Sequence, residues 1–176
     1  MRSLCAAAAA TLLLAACATP GFLLPAKDLE FELTGRIAMK YRDEAASGNV
    51  AWRHGLRDDE LLLTSPLGQG LARIARTDAV VTLTTQDGRE FRAADAESLT
   101  EQVLGFRLPL AGLADWVRAR PAPGSAVTRR DAAGRLARIE QSGWTVEYLE
   151  YAGGLPSRLN LSYPGVQLRL AISDWK

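Results

Sequence analysis

The chain has 176 residues and is close to neutral, with 21 Lys and Arg against 20 Asp and Glu. A neutral chain without a basic run or clustered aromatic residues offers little to nucleic acid, so no nucleic-acid partner is expected. The single His excludes a His-based metal centre, and we predict neither a metal nor a cofactor. One of the two cysteines lies in the N-terminal apolar segment, so the sequence provides no disulfide framework.

Residues 1–16 have the composition of a secretory signal peptide. Arg2 precedes an apolar run of about fifteen residues, shorter than the roughly 20 that a membrane-spanning helix needs. The run ends in Leu-Ala-Ala-Cys17, which resembles the lipobox of bacterial lipoproteins. The resemblance implies cleavage before Cys17 and a cysteine that carries S-diacylglycerol and N-acyl groups; the alternative is an ordinary signal with an unmodified Cys17. Residues 17–29 are then a lipidated tether reaching at most about 40 Å, and residues 30–176 form a single domain.

The first predicted strand covers residues 31–41, where apolar and polar side chains alternate. Gly35 interrupts the apolar face and predicts a bulge or a sharp bend. A second strand is expected over residues 48–53, with Trp52 on its apolar side. His54 follows at the end of that strand, and we interpret it as a solvated side chain rather than a catalytic group.

The stretch from Leu61 to Ile74 predicts two strands joined at a tight turn. Pro66 presets φ for the turn, and Gly68 can take a positive φ. A leucine, Leu67, stands between them, which is unusual for an exposed turn. Two interpretations stay open from the residues alone: Leu67 folds back onto the core, or the turn holds it out to touch something apolar.

The rest of the chain adds strands and a helical insertion. Strands are predicted at residues 79–85 and 90–93. The apolar period then becomes helical over residues 95–104, with Asp95 placed to cap the helix start and Gly105 its end. A second short helix starts at Pro109, with an apolar side made of Leu110, Leu113, Trp116 and Val117. Alternation resumes in five predicted strands, at residues 127–130, 136–141, 144–148, 159–163 and 166–172.

About eleven short strands and two helices predict a mainly β, α+β fold. A long antiparallel sheet must curl to protect its edges and bury its apolar face. We therefore predict an open, incompletely closed antiparallel β-barrel with a short helical lid over its opening. A sheet with an apolar concave face under a removable cover is a container for something apolar.

Several short motifs occur in an order that resembles a known family. They are Leu33–Ala38, the Trp52 strand, the Ser-Pro-Leu-Gly turn at 65–68, Leu108–Leu110 leading to Trp116, Gly143–Tyr148, Leu155-Pro156 and Trp175. Behind a lipobox, this order resembles the LolB family of outer-membrane lipoprotein receptors of Gram-negative bacteria. The tether is short, and residues 119–136 follow no pattern of that family.

The resemblance implies a LolA/LolB-like barrel of eleven strands and a non-enzymatic function. A protein of this kind accepts lipoproteins from a LolA-like periplasmic carrier and inserts their acyl chains into the inner leaflet of the outer membrane. We therefore expect a monomer, lipid-anchored in the outer membrane and facing the periplasm. The partners would be the loaded carrier and the acyl chains of its cargo.

The resemblance implies one set of site residues: Pro66, Leu67 and Gly68 would form a loop that engages the membrane. The alternation of the strands and the spacing of the helices give a second set, whose members either line an apolar cavity or are ordinary core. The candidates for the cavity are Leu33, Ile37, Met39, Val50, Trp52, Leu63, Leu99, Val103, Leu113, Trp116, Trp144, Val146, Leu168 and Leu170. This interpretation requires an apolar hollow beneath the two helices.

Two rival functions are weighed against the receptor. A lipid-binding or stress-sensing envelope lipoprotein of the same open-barrel shape would share the tether and the apolar interior. An envelope hydrolase is disfavoured, because the chain has a lone His54 and no Gly-x-Ser-x-Gly elbow.

Overall fold

A computed structural model describes Phe22, residues 28–77 and residues 80–176. This part of the chain contains eleven strands and two helices. The strands are β1 (Leu29–Tyr41), β2 (Glu44–Gly55), β3 (Asp59–Thr64), β4 (Gly70–Thr77), β5 (Val80–Thr85), β6 (Glu90–Ala93), β7 (Val127–Arg130), β8 (Leu136–Gln141), β9 (Trp144–Ala152), β10 (Leu155–Tyr163) and β11 (Val166–Trp175). The helices, α1 (Ala96–Leu104) and α2 (Leu110–Trp116), lie between β6 and β7 in the chain.

All eleven strands belong to one antiparallel sheet, in the order β6-β5-β4-β3-β2-β1-β11-β10-β9-β8-β7. The first and last strands pair in the middle of the sheet, so β6 and β7 form its two edges. The segment that contains α1 and α2 joins these edges. The described strands therefore make the open antiparallel sheet with a helical cover that the sequence predicted.

The sheet has an apolar inner face and a polar outer face, as alternation requires. Leu33, Trp52 and Leu61 lie opposite one another on β1, β2 and β3, and all three are buried. The same inner face continues on β9, β10 and β11, where Val146, Leu159 and Leu170 are buried. The helices add Leu99, Leu113 and Trp116 to this one cluster. The core therefore lies between the inner face and the helical cover.

Gly35 marks an irregularity in the middle of the sheet, as predicted. The register between β1 and β11 shifts between Thr34 and Gly35. A Cβ atom at Gly35 would lie 2.3 Å from the carbonyl oxygen of Ala171. The two backbones can approach this closely only because residue 35 has no side chain.

The ends of α1 follow the predicted capping chemistry. The Asp95 side chain accepts a hydrogen bond from the Ser98 backbone N–H at 2.7 Å. Gly105 ends the helix with φ = 79°, a left-handed conformation that glycine adopts at no steric cost. The second helix buries Leu110, Leu113 and Trp116, the side predicted to be apolar.

Several strands, β11 among them, are longer than predicted. β2 begins at Glu44 instead of Gly48, because residues 44–47 continue to pair with β1 although alanines and a serine give no apolar period. β9 continues to Ala152 and β10 begins at Leu155.

None of the described helices is long and apolar enough to cross a membrane. The described residues also contain no group of three or more His, Cys, Asp or Glu side chains that could hold a metal ion.

Candidate functional site

The fourteen residues predicted to line a cavity all belong to one apolar cluster on the inner side of the protein. Ten of them are buried: Leu33, Val50, Trp52, Leu99, Leu113, Trp116, Trp144, Val146, Leu168 and Leu170. Four are partly buried: Ile37, Met39, Leu63 and Val103. The structure therefore brings the whole set together, while its role in binding acyl chains stays a prediction.

The space beneath the helices is filled by side chains, which differs from the hollow that was expected. Leu99 of α1 and Val146 of β9 have no exposed surface, and Trp116 of α2 is only 1% exposed. The Trp116 ring packs 6.3 Å from the Trp144 ring, centroid to centroid. In this arrangement the cover rests directly on the sheet around Leu99 and Trp116.

The four partly buried members lie towards the same end of the interior. Ile37 and Met39 lie in the second half of β1, Leu63 near the end of β3, and Val103 in the last turn of α1. We call this the Leu67 end, because the β3–β4 turn lies there. Its inward side chains are aliphatic and reach solvent in part.

The β3–β4 turn is a short and well-fixed loop. The Ser65 backbone N–H donates to the Gln69 carbonyl at 2.7 Å, and the Gly68 N–H donates to the Ser65 carbonyl at 2.9 Å. The Asn49 side chain donates to the Ser65 carbonyl at 3.0 Å. Gly68 has φ = 86°, as the turn prediction requires.

Leu67 is 91% exposed at the tip of this loop. The first of the two interpretations, in which Leu67 folds back onto the core, is therefore wrong. Its neighbour Pro66 is exposed too. A rigid turn thus presents an apolar side chain to whatever surrounds the protein.

Comparisons with known proteins identify the family. A family model described as outer membrane lipoprotein LolB matches residues 29–175. The chain belongs to the LolB family. Relatives named outer-membrane lipoprotein LolB include one from Azoarcus sp., 40% identical over 93% of this chain and 90% of the relative, and one from Thiobacillus denitrificans, 45% identical over 82% and 78%.

The fold is shared with a solved LolA-superfamily structure. A crystal structure of a LolA superfamily protein from Nitrosomonas europaea matches with a TM-score of 0.53 at 13% identity, over 85% of this chain and 86% of that one. The open sheet of this LolB-family protein is therefore a LolA-like fold.

Opposite the Leu67 end, a buried carboxylate organises what we call the Asp59 end. Asp59 is 4% exposed; its Oδ1 accepts hydrogen bonds from Trp52 Nε1 at 2.9 Å and pairs with His54 Nδ1 at 2.6 Å, while its Oδ2 accepts one from Arg76 Nε at 2.5 Å. Burial alone would raise the pKa of Asp59, but the His54 hydrogen bond and the charges of His54 and Arg76 outweigh it, so the pKa is lowered. Phe31 packs nearby in a T-shaped arrangement, its ring 5.1 Å from the Trp52 ring.

The interpretation of His54 as a solvated side chain is wrong. His54 lies directly opposite Asp59 in the β2–β3 hairpin, and its side chain is only 12% exposed. The run of acidic residues after the hairpin turn was the available signal, but the pairing depends on the register of the hairpin. The His54–Asp59 pair links β2 to β3 within the hairpin.

Hydrogen bonds fasten α2 to β8 and β9. Trp116 Nε1 donates to Gln141 Oε1 at 2.9 Å, and the Tyr148 hydroxyl donates to the Trp116 carbonyl at 2.7 Å in a buried position. Burial raises the pKa of the Tyr148 phenol. Arg118, just after α2, pairs with Glu30 of β1 at 2.6 Å.

The C-terminal end of α1 has a weaker attachment at the Leu67 end. The Tyr41 hydroxyl donates to the Gly105 carbonyl at 3.0 Å, in an exposed position. The Tyr41 and Phe106 rings lie 5.2 Å apart. Cys17, the predicted lipidation site, lies outside the described residues.

Proposed function

We propose that this protein receives lipoproteins from a LolA-like periplasmic carrier and inserts their acyl chains into the outer membrane. Its membership of the LolB family, whose members bear the name outer-membrane lipoprotein, and its LolA-like fold support the proposal. The single observation that carries it furthest is the 91% exposed Leu67, held on a fixed loop at the half-buried end of an apolar interior. Cys17 would anchor the protein in the outer membrane, facing the periplasm, as a monomer.

The energetics of the cargo require an apolar path. A triacylated lipoprotein carries about 40 methylenes, and at about 0.8 kcal/mol each their exposure to water costs on the order of 30 kcal/mol. Among the described residues, the inner cluster forms an extended apolar surface that could shelter these methylenes. Acyl chains would reach it by displacing the helical cover from the sheet.

Opening would begin at the Leu67 end. There the end of α1 meets β1 through an exposed hydrogen bond, from Tyr41 to Gly105, and near side chains that are already partly exposed. By contrast, buried hydrogen bonds to Trp116 hold α2 on β8 and β9, and the Arg118–Glu30 pair holds the chain just after α2 at the Asp59 end. The C-terminal part of α1 therefore moves more easily than α2.

Leu67 would start delivery by entering the bilayer. An inserted leucine gains about 1.5 to 3 kcal/mol, which is enough to hold the loop at a membrane briefly without fixing it there. The same residue would contribute little to acceptance, because it points away from the interior. Release then depends on the bilayer offering the acyl chains a better environment than the receptor does.

Two leucines provide a matched test. Leu67→Glu should leave transfer from loaded carrier to receptor intact and strongly reduce subsequent delivery to liposomes. Leu56→Glu changes another exposed leucine, 71% exposed in the β2–β3 turn at the opposite end of β3, and should alter neither step. Normal delivery by Leu67→Glu would contradict the role of the loop.

Acceptance has its own test at the interior. Met39→Glu places a charge on the half-buried apolar surface and should reduce transfer from the carrier. Val127→Glu, at a position 68% exposed on the edge strand β7, makes a chemically similar change outside that surface and should transfer normally. Equal acceptance by both variants, with the Met39 variant folded, would remove the interior from the cargo path.

Depletion in cells separates the receptor from a stress sensor, because only loss of a receptor strands other lipoproteins on the carrier.

A further inference from the structure

The outer face of the sheet carries a groove that the receptor function leaves unused. Its volume is about 550 Å³, and it crosses β2, β1, β11 and β10. Arg36, Arg169 and Arg158 line it, together with Asn49 and Asn160. None of the side chains lining this groove is a carboxylate.

The three arginines form a compact cationic triangle. Arg36 and Arg158 both lie beside Ala171 of β11, one on each side, so their Cα atoms are roughly 10 Å apart. Arg169 lies two residues before Ala171 on the same face. Such spacing lets guanidinium groups from three strands converge on one anionic group.

Two of these charges are not neutralised within the part of the chain that the structure describes. Arg158 pairs with Glu150 at 2.7 Å, but Arg36 and Arg169 are exposed and make no ion pair with a described residue. Lys40, also on the outer face of β1, is exposed and adds a further cation beside the groove. The groove is therefore markedly basic on a chain whose net charge is only +1.

The groove adjoins the Leu67 loop. Pro66 is part of its lining, and Gly68 lines a neighbouring groove of about 420 Å³ that shares Arg36 and Asn49. Leu149, 52% exposed, lines the basic groove on its β9 side. Exposed apolar side chains thus flank a cluster of arginines on the face towards which the loop leans, an arrangement suited to a surface with apolar and anionic layers.

We propose that Arg36, Arg169 and Arg158 bind the phosphate groups of anionic phospholipids in the bilayer that Leu67 enters. This inference rests on the proposed role of the Leu67 loop and extends it. The leucine would insert into the apolar layer of the bilayer, and the arginines would orient the outer face towards the membrane. The charge complementarity of a groove without carboxylates supports lipid phosphate as its occupant.

Vesicle binding tests the groove separately from the loop. The chain from residue 18 onwards, which contains all described strands and helices, is mixed with phosphatidylethanolamine vesicles that contain or lack phosphatidylglycerol. Arg36→Gln/Arg169→Gln should bind the phosphatidylglycerol vesicles about tenfold or more weakly than the parent, with a much smaller change on the vesicles without it. Arg129→Gln/Arg130→Gln removes the same charge from exposed positions on β7 and should bind like the parent.

The outcomes distinguish the two proposals. Binding of the Arg36/Arg169 variant equal to that of the parent on anionic vesicles overturns the lipid groove and leaves the loop untouched. Unchanged vesicle binding with reduced transfer from the carrier also overturns it, because the groove would then meet an acidic protein surface. Leu67→Glu should weaken binding to both kinds of vesicle; if it delivers cargo normally while the arginine variant loses anionic binding, the loop role fails and the groove stands.

Discussion

The two ends of the interior are built differently. At the Asp59 end a buried carboxylate holds three side chains from two strands, aromatic rings pack together, and the Arg118–Glu30 pair holds the chain just after α2. At the Leu67 end Ile37, Met39, Leu63 and Val103 are only partly buried, and the Tyr41 hydroxyl provides an exposed contact with the end of α1. The two ends therefore differ in what holds them, and this difference supports the proposed opening at the Leu67 end.

The largest expected effect comes from breaking the Asp59 end. Asp59→Ala removes the acceptor of Trp52, His54 and Arg76 and leaves their buried polar atoms without it, so the free energy of unfolding should fall by about 3 kcal/mol. Urea unfolding measures this loss in the free energy of unfolding. The control is Asp87→Ala, because the exposed Asp87–Arg89 pair should contribute much less. Equal losses in the two variants would contradict the special status of the Asp59 end.

A smaller effect is expected for the hydrogen bond that fixes α2. Tyr148→Phe leaves the buried Trp116 carbonyl without its donor and should cost about 1 to 2 kcal/mol. Tyr41→Phe removes the exposed hydrogen bond to Gly105 and should cost less than about 0.5 kcal/mol. Urea unfolding of both variants, with hydrogen exchange of the helix amides, compares the two attachments directly. A larger loss for Tyr41→Phe would contradict the weaker attachment of α1.

Acid should weaken the Asp59 end in a defined pH window. The pKa of Asp59 is lower in the folded protein than in the unfolded chain, so its contribution is fully present above the unfolded pKa of about 4 and is lost as pH falls through the folded value. Asp59→Asn should therefore flatten the fall in stability below about pH 4. The measurement is urea unfolding at several acidic pH values, and an unchanged pH dependence would mean that other carboxylates carry the effect.

The smallest expected effect on stability concerns the loop tip. Leu67→Ser should change the free energy of unfolding by less than about 0.5 kcal/mol, because the side chain is almost fully exposed and the turn is fixed by backbone hydrogen bonds. A loss well above that value in urea unfolding would mean that Leu67 supports the fold.

Local backbone chemistry made part of this structure predictable. Asp95 and Gly105 cap α1, Gly35 sits at a bulge, and Gly68 takes a positive φ, because each depends on residues within a few positions or on the lack of a side chain. Alternation likewise placed Leu33 and Trp52 on one face.

Long-range registration explains what sequence reasoning missed. The His54–Asp59 pair depends on the hairpin register, and Trp116 meets Gln141 across 25 residues. The packing of the helical cover on the sheet could not be foreseen either. Alternation shows which side chains point inward, but not whether Trp116 fills the space above them. The basic groove arises from Arg36, Arg158 and Arg169 on adjacent strands that are far apart in the chain.

The most direct test of the central claim is a distance measurement by spin labelling during cargo loading, with Cys5 and Cys17 replaced. One label pair, Gln102 on α1 and Ala45 on β2, spans the Leu67 end, and a second pair, Arg120 after α2 and Leu56 in the β2–β3 turn, spans the Asp59 end; all four positions are exposed. On transfer of an acylated lipoprotein from its carrier, the first distance should lengthen and the second should stay unchanged. Successful transfer with both distances unchanged, or with only the second lengthened, would contradict opening at the Leu67 end.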